Sequence, residues 1–372
     1  MPIYMDRHDI LDNVTAAQVA EMHQQDLKIQ DKYGCRGLTY WFDGQRQTAF
    51  CLIEAPDISC IHAMHNAAHG QVPNRVIEVS PALVEAFLGR IEDPEKNGGG
   101  PLNVIDDSAF RILMLVSLKP ATTAQRVSKG AGRGLEPFNL AVHNIVLSSG
   151  GKPVRRNDHH LTVCFTSAAD AVRCALRIQA EFEKNKTSLA GSLAAGASLK
   201  IGVSAGDPVT DKPAFFEDAI RLVERMCRIV KGEIILSCEV RELYDSEKPG
   251  GLPEQGKTCW LLPADQRFLV GLMDFTESAW KNAGFKVDDF EKALGCSKSQ
   301  FYRKMISLTG KSPNFFLKEY RLNEALGLLN KHARNVSEVA FETGFNSPSY
   351  FSKCFQQLYG CLPSDYLAEL AE

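Results

Sequence analysis

The sequence predicts a multidomain chain, two α+β (ferredoxin-like) domains followed by an all-α double helix-turn-helix domain. Three observations lead there. Residues 1–92 read strand, helix, strand, strand, helix, strand, the order of the ferredoxin-like plan. Two charged, glycine-rich stretches, 92–108 and 245–257, read as flexible linkers and divide the chain into units at 1–92, 105–245 and 265–372. Near the C-terminal end one phrase occurs twice: Ser297, Ser299, Phe301, Gly310 and Pro313 recur fifty positions later as Ser347, Ser349, Phe351, Gly360 and Pro363. A short internal repeat marks one structural unit used twice.

In the first unit, Pro2 to Asp9 alternates as a strand does. Thr15 can cap a helix running to Lys32, with Val19, Met22, Leu27 and Ile29 apolar. Strands over Gly37 to Phe42 and Ala49 to Glu54 flank the polar turn Asp43-Gly44-Gln45. A helix from Asp57 to His69 ends at Gly70, Arg75 to Val79 is the last strand, and Pro81 to Arg90 adds a helix. Five of the nine histidines lie here, His8, His23, His62, His65 and His69. A lone histidine is ordinarily a surface or hydrogen-bonded core residue. His65 and His69, however, are four apart and so one helical turn apart, a good spacing for two imidazoles on one metal. Asp6 and His8 share one strand face. The segments around Asp6-Arg7-His8, Tyr40-Trp41, Phe50-Cys51-Leu52 and His65 to Gly70 resemble a family of small bacterial nickel-binding proteins with this ferredoxin-like fold. With that resemblance, Asp6, His8, His65 and His69 become the candidate ligands of a sensor domain, and the expected cofactor is a transition metal, nickel or zinc. Imidazole with carboxylate suits Ni, Zn or Cu more than Mg or Ca. Cys51 reads as a buried strand cysteine rather than a ligand.

In the second unit, Arg111 to Leu118 is a continuous apolar strand. Helices follow over Leu135 to Ser148, Ser167 to Lys184 and Phe215 to Val230, with strands over Leu161 to Thr166, Leu199 to Ala205 and Glu233 to Ser237. The phrases Phe165-Thr166-Ser167-Ala168, Asp170-Ala171-Val172, Cys174-Ala175-Leu176, Leu199 to Val203 and Gly232 to Ser237 resemble the catalytic domain of class III nucleotide cyclases. The resemblance implies two aspartates holding two metal ions on a triphosphate, and an Asn and an Arg one turn apart. Here the first strand reads Met114-Leu115-Val116-Ser117-Leu118, with no aspartate. The second aspartate corresponds to Asp158, the Arg to Arg225, and the Asn position holds Arg221. One carboxylate does not hold two divalent ions against their repulsion. The unit is therefore expected to be cyclase-like without cyclase activity, serving nucleotide binding or dimerisation.

The third unit carries the repeat. Each copy reads helix, glycine turn, helix: Val287 to Leu294, Gly295, then a helix from Ser297; and Val336 to Ala340, Gly344, then a helix from Ser347-Pro348. Serine suits the cap and proline the first turn. This is the helix-turn-helix unit, whose second helix enters the DNA major groove. Pro313 to Lys331 is an uninterrupted helical pattern of roughly 28 Å at ~1.5 Å per residue, close to the ~34 Å of one DNA turn. Gly344-Phe345, Tyr350-Phe351, Phe355, Gly360, Pro363 and Tyr366, with the repeat, resemble the AraC/XylS family of bacterial transcription regulators. Residues 265–372 hold thirteen basic and thirteen acidic side chains, yet 297–321 concentrates Lys298, Arg303, Lys304, Lys311, Lys318 and Arg321 against Glu319 alone. Such a stripe suits a phosphate backbone. Groove contacts are expected from Ser297, Lys298, Ser299, Gln300, Arg303 and Lys304 in copy one, and from Ser347, Ser349, Tyr350 and Lys353 in copy two. The second set is poorer in charge, so copy one should dominate affinity.

Over the whole 372 residues, 44% are hydrophobic, the net charge is −3, and no apolar run approaches the ~18 residues of a membrane span. The start lacks the basic and apolar segments of a secretion signal. Eleven scattered cysteines without a CxxC pair suggest reduced thiols in a cytoplasm. The expectation is a cytoplasmic, homodimeric, sequence-specific regulator of transcription that binds double-stranded DNA and answers to a metal or small-molecule effector, with no membrane partner and no enzymatic activity. The alternatives are a class III-type nucleotide cyclase with a fused DNA-binding tail, and a metal store or carrier.

Overall fold

The computed structural model describes residues 1–95, 102–119, 136–156, 160–189, 198–248, 258–331 and 335–371. The front unit runs β1 (Ile3–Asp9), α1 (Ala16–Ile29), β2 (Arg36–Asp43), β3 (Thr48–Glu54), α2 (Ile58–Ala68), β4 (Arg75–Val79) and α3 (Pro81–Leu88). Its four-stranded sheet has the order β2-β3-β1-β4, every neighbouring pair antiparallel, which is the ferredoxin-like arrangement expected. Thr15 caps α1 in a capping box with Gln18, and the Asp57 side chain caps α2.

Strand alternation gives this sheet two different faces. Tyr4, Tyr40, Phe42, Cys51 and Ile53 pack with α1 and α2. Met5, Trp41, Phe50 and Leu52 point the other way, into a cluster with Phe87, Leu113, Phe215, Phe216 and Ala219. A ferredoxin-like sheet leaves one face bare; here the second unit covers it.

That second unit contains β5 (Arg111–Lys119), α4 (Glu136–Ser148), β6 (Lys152–Arg156), β7 (His160–Phe165), α5 (Ala168–Leu189), β8 (Ser198–Gly206), α6 (Glu217–Ile229), β9 (Ile234–Leu236), α7 (Cys238–Glu247) and β10 (Thr258–Trp260). The strand order is β10-β9-β8-β5-β7-β6. Its β8-β5-β7-β6 part repeats the ferredoxin-like order, and β9 and β10 extend it in parallel. Helices α4, α5 and α7 cover one face through Phe138, Val142, Cys174, Ile178 and Val240. Helix α6 lies on the other, where Val223 and Cys227 meet Leu115. Gly202 allows that approach, since a Cβ there would stand 2.8 Å from Val223 and 2.9 Å from the Cys227 sulfur.

The tail contains α8 (Pro263–Ala279), α9 (Val287–Leu294), α10 (Lys298–Thr309), α11 (Pro313–Lys331), α12 (Val336–Glu342), α13 (Pro348–Tyr359) and α14 (Pro363–Ala371). It has two apolar cores. Phe290, Phe301, Met305, Phe316 and Tyr320 join α8 and residues of α6 in one. Leu322, Ala325, Leu329, Val339, Phe351, Phe355 and Tyr366 form the other. Helix α11 thus gives its first half to one helix-turn-helix unit and its second half to the next.

The differences from the sequence reading have physical causes. Strand β6, KPVRR, was not anticipated: it is polar and contains proline, which an edge strand tolerates. Helix α8 escaped because no repeat marks it, and α7 because its sequence is largely polar. The described part of the first linker is docked: the Tyr40 hydroxyl donates to the Asn103 carbonyl (2.9 Å) and accepts from the Ile105 amide (2.8 Å), and Ile105 is buried. One apolar residue and one aromatic hydroxyl anchor what composition alone reads as flexible. Leu135 and Asp158 lie outside the described residues.

Candidate metal centre and nucleic-acid interface

The ligand candidates converge beneath α1 and α2, on the inner face of β1. His65 is the hub. Its Nε2 lies 2.9 Å from Asp6 Oδ2, and its Nδ1 lies 3.2 Å from Asp26 Oδ2 and 3.3 Å from His69 Nε2. His69 Nε2 is in turn 3.3 Å from Asp26. Asp6 Oδ1 accepts the Cys51 amide at 2.9 Å and stands 3.4 Å from His8 Nε2. The four residues expected from the sequence are brought together, but as two abutting trios: Asp26, His65 and His69 in one, Asp6, His8 and Cys51 in the other. Asp26 was missed. A carboxylate on the buried side of α1, with Val19, Ala20 and His23, was the signal that could have found it.

Burial works against every charge here, so the signs of the pKa shifts are informative. Burial alone would lower the His65 pKa, but hydrogen bonds to Asp26 and Asp6 outweigh it and hold the imidazole up at about 10. Burial opposes ionisation of Asp6 and Asp26 as well. The nearby His8 charge and the His65 hydrogen bond keep Asp6 well below the ordinary carboxylate range, and hydrogen bonds from His65 and His69 depress Asp26. Burial pushes the Cys51 thiol well up, which disfavours the thiolate a metal needs.

The donors fit a transition metal. Two buried atoms, His8 Nε2 and Asp26 Oδ1, make no well-formed hydrogen bond and have only long ion-pair contacts, to Asp6 Oδ1 (3.4 Å) and His69 Nε2 (3.3 Å), which leaves them available to a ligand. The three edges of the Asp26–His65–His69 triangle, 3.2–3.3 Å, match those of a tetrahedron with ~2.0–2.1 Å metal–nitrogen bonds. In that trio His65 would bind through Nδ1 while Nε2–H donates to Asp6, the orienting carboxylate usual behind a ligating histidine.

In the tail, both candidate recognition helices start from capping serines. Ser297 and Gln300 close a capping box on α10, and the Ser347 hydroxyl accepts the Tyr350 amide on α13. Three residues expected to touch DNA thus have local structural work. The basic stripe is also partly consumed: Lys298 pairs with Asp288 (2.8 Å) and Lys311 with Glu319. Arg321 donates to the carbonyls of Trp280 (2.9 Å) and Asn282 (2.8 Å), bracing α8 against α11. Gly344 makes room for this brace, because a Cβ there would stand 2.7 Å from the Trp280 oxygen. Exposed on α10 remain Ser299, Tyr302, Arg303 and Ile306, one stripe at helical spacing; exposed on α13 are Ser349, Tyr350, Lys353 and Gln356. Tyr302 and Gln356 were missed. Tyr302 is 51% exposed and Tyr350 56%, both unusual for an aromatic in a small helical core.

The residues aligned with a cyclase's paired Asn and Arg face elsewhere. Arg225 donates to Asp274 (2.6 Å) and Glu277 (2.7 Å) of α8, and Arg221 to Glu217 (3.2 Å) and Glu277 (2.8 Å).

Comparison with known proteins agrees with both ends of the chain. Residues 291–369 match the family described as a helix-turn-helix domain, and residues 4–79 the family described as nickel responsive protein SCO4226-like. Among similar proteins, histidine kinase P4 of Formosa agariphila is 35% identical over 29% of this chain and 8% of its own length. The HTH-type transcriptional regulator ExsA of Pseudomonas aeruginosa is 32% identical over 26% of this chain and 35% of its own. The structure of SCO4226 from Streptomyces coelicolor, 27% identical, aligns with 21% of this chain and 94% of its own at a TM-score of 0.20. The chain spans about a third or less of the length of the curated relatives it matches first. No helix among the described residues is long and apolar enough to cross a membrane.

The His65 shift sets a pH dependence in chelator-treated protein. A raised folded pKa contributes stability fully below the ordinary value of 6.5 and loses it as pH rises through about 10. The thermal-stability advantage of wild type over His65→Gln should therefore be largest near pH 6.5 and shrink steadily towards pH 10. Differential scanning fluorimetry across this range checks it; a constant difference would contradict the charged His65 pairing.

Proposed function

We propose that this protein is a sequence-specific regulator of transcription that grips double-stranded DNA with α10 and α13 and holds a transition metal, nickel or zinc, in its front unit. The observation that carries the reading is the paired exposed faces on two capped helices, whose helix-turn-helix units are linked by helix α11 of 19 residues. At ~1.5 Å per residue this spacer is roughly 28 Å long, comparable to the ~34 Å between successive major grooves on one side of DNA. The helix-turn-helix match covers both units, and the nickel-responsive match covers the converging histidines.

In this reading Arg303 and Tyr302 on α10 and Tyr350 and Lys353 on α13 meet the groove. Ser299 and Ser349 supply adaptable hydroxyls. Ser297, Gln300 and Ser347 act through the caps, whose loss costs about 1 kcal/mol of helix stability. Asp26, His65 and His69 would hold the metal, and Asp6 and His8 support it; the bound ion supplies a fixed positive charge between carboxylates that the His65 proton otherwise neutralises. Cyclase chemistry is disfavoured by the residues themselves. Strand β5 offers no carboxylate, and Arg221 and Arg225 are spent on α8.

Two measurements test the two halves. Arg303→Ala should weaken binding to a selected DNA site by ~1–3 kcal/mol if the arginine reads a base; an unchanged titration at fixed salt removes it from the groove. Elemental analysis of the purified full chain should find nickel or zinc, lost in the double variant His65→Ala/His69→Ala. Metal retained by that variant would refute the assigned ligands.

A further inference from the structure

A cavity of about 670 Å³ opens between the first turn of α8 and one flank of α10. Arg267 and Phe268 form one wall together with Asp265, and Gln300, Arg303, Lys304 and Ser307 the other. The charges here differ from those nearby. Lys298 and Lys311 are neutralised by carboxylates, whereas no ion pair forms on Arg267, Arg303 or Lys304 among the described residues. Arg303 bonds only its own helix, Nε to the Ser299 carbonyl at 3.3 Å, and Lys304 is held on the wall with its ammonium 5.2 Å from the Phe268 ring. Three cations without an ion pair among the described residues, Arg267, Arg303 and Lys304, therefore line one opening. Arg267, Gln300 and Arg303 are solvent-exposed at its mouth.

The position matters as much as the charge. A helix with its side chains is about 10–12 Å across and fills a major groove about 12 Å wide, so its flanks face the sugar–phosphate walls. At 3.6 residues per turn, Ser299, Tyr302, Arg303 and Ile306 share one side, and Gln300, Lys304 and Ser307 lie roughly a third of a turn round. When the first side meets base edges, the second meets a phosphate wall. Arg303 belongs to both.

We propose that this cavity seats a backbone phosphodiester of the bound DNA, with Arg267 and Lys304 as its charge partners and Ser307 as a hydroxyl donor, so that α8 is part of the DNA interface. Arg267 thereby fixes the register of α10 without reading sequence. Asp265 opposes the phosphate and limits its grip. The proposal rests on the DNA-binding reading above, and the test separates the two.

The full chain is titrated with a random-sequence duplex at several salt concentrations, as wild type, Arg267→Ala, Arg267→Lys and Asp265→Asn. Losing one phosphate contact lowers the salt slope by about 0.9, so between roughly 50 and 200 mM salt Arg267→Ala should lose about threefold less affinity than wild type. Arg267→Lys should keep the wild-type slope, and Asp265→Asn should bind more tightly than wild type. A wild-type slope in Arg267→Ala, while Arg303→Ala is impaired, overturns the phosphate seat and leaves the DNA reading standing. Wild type that binds no duplex overturns the DNA reading itself. Inorganic phosphate is titrated in parallel; tight binding of the free anion with an unaltered Arg267→Ala salt slope would make the cavity a small-anion site and defeat the proposal.

Discussion

The arrangement depends on α6, a helix that is packed on three sides. Its N-terminal end places Phe215, Phe216 and Ala219 in the apolar cluster shared with the front sheet. Its middle lays Val223 and Cys227 on Leu115 of its own sheet. Its remaining face puts Leu222, Met226 and Ile229 into the core of the first helix-turn-helix unit. Arginines lock that last contact: Arg225 onto Asp274 and Glu277, and Arg228 onto Glu324 (2.5 Å) while lying 4.1 Å over the Tyr320 ring. Just beyond α6, the Lys231 amide donates to the Leu308 carbonyl at the end of α10 (2.9 Å). Partly exposed arginine–carboxylate pairs with several hydrogen bonds add little stability but are geometrically demanding, so they fix orientation more than they stabilise.

This geometry treats the two proposed recognition helices unequally. Helix α10 is held by α8, by α6 and by the Lys231 amide. Helix α13 belongs to a core made wholly of tail residues. The front unit reaches the same framework from its opposite side: on β1, Asp6 and His8 face inward among the candidate ligands, while Arg7 points outward to Asp207 (3.4 Å) and the Val209 carbonyl (3.1 Å), just ahead of α6. One strand therefore carries the candidate ligands on one face and a contact to the α6 framework on the other. In the proposed reading, exchanging the His65 proton for a metal ion would change charge and spacing beneath that strand; packed interfaces respond to such changes with alternative arrangements rather than smooth deformation.

Much of this was legible in the residues. The repeat at 297–317 and 347–367 located both helix-turn-helix units and the spacer, because a glycine turn between capped helices leaves a spacing signature. The His65/His69 pair and the alternation of Asp6 and His8 pointed to the same buried place. Asp26 was not legible because its partners are distant in sequence and its helix shows only one carboxylate on a buried face. The pairing of the basic stripe was hidden for a related reason: sequence shows where cations lie, not which of them meet Asp288, Glu319 or a main-chain carbonyl. The linkage through α6 was invisible, since the matching of Arg225 to a cyclase arginine suggested a ligand-facing role and only the fold shows Asp274 and Glu277 in front of it.

The central claim is that the proposed metal site of the front unit and the proposed recognition helices share one mechanical framework. It is tested most directly by measuring the affinity of the full chain for a selected DNA site with nickel bound and after chelation, at constant salt. The account predicts a difference of about fivefold or more, the lower end of ordinary allosteric coupling. Identical affinities in the two states, with metal uptake verified in the same samples, would contradict it.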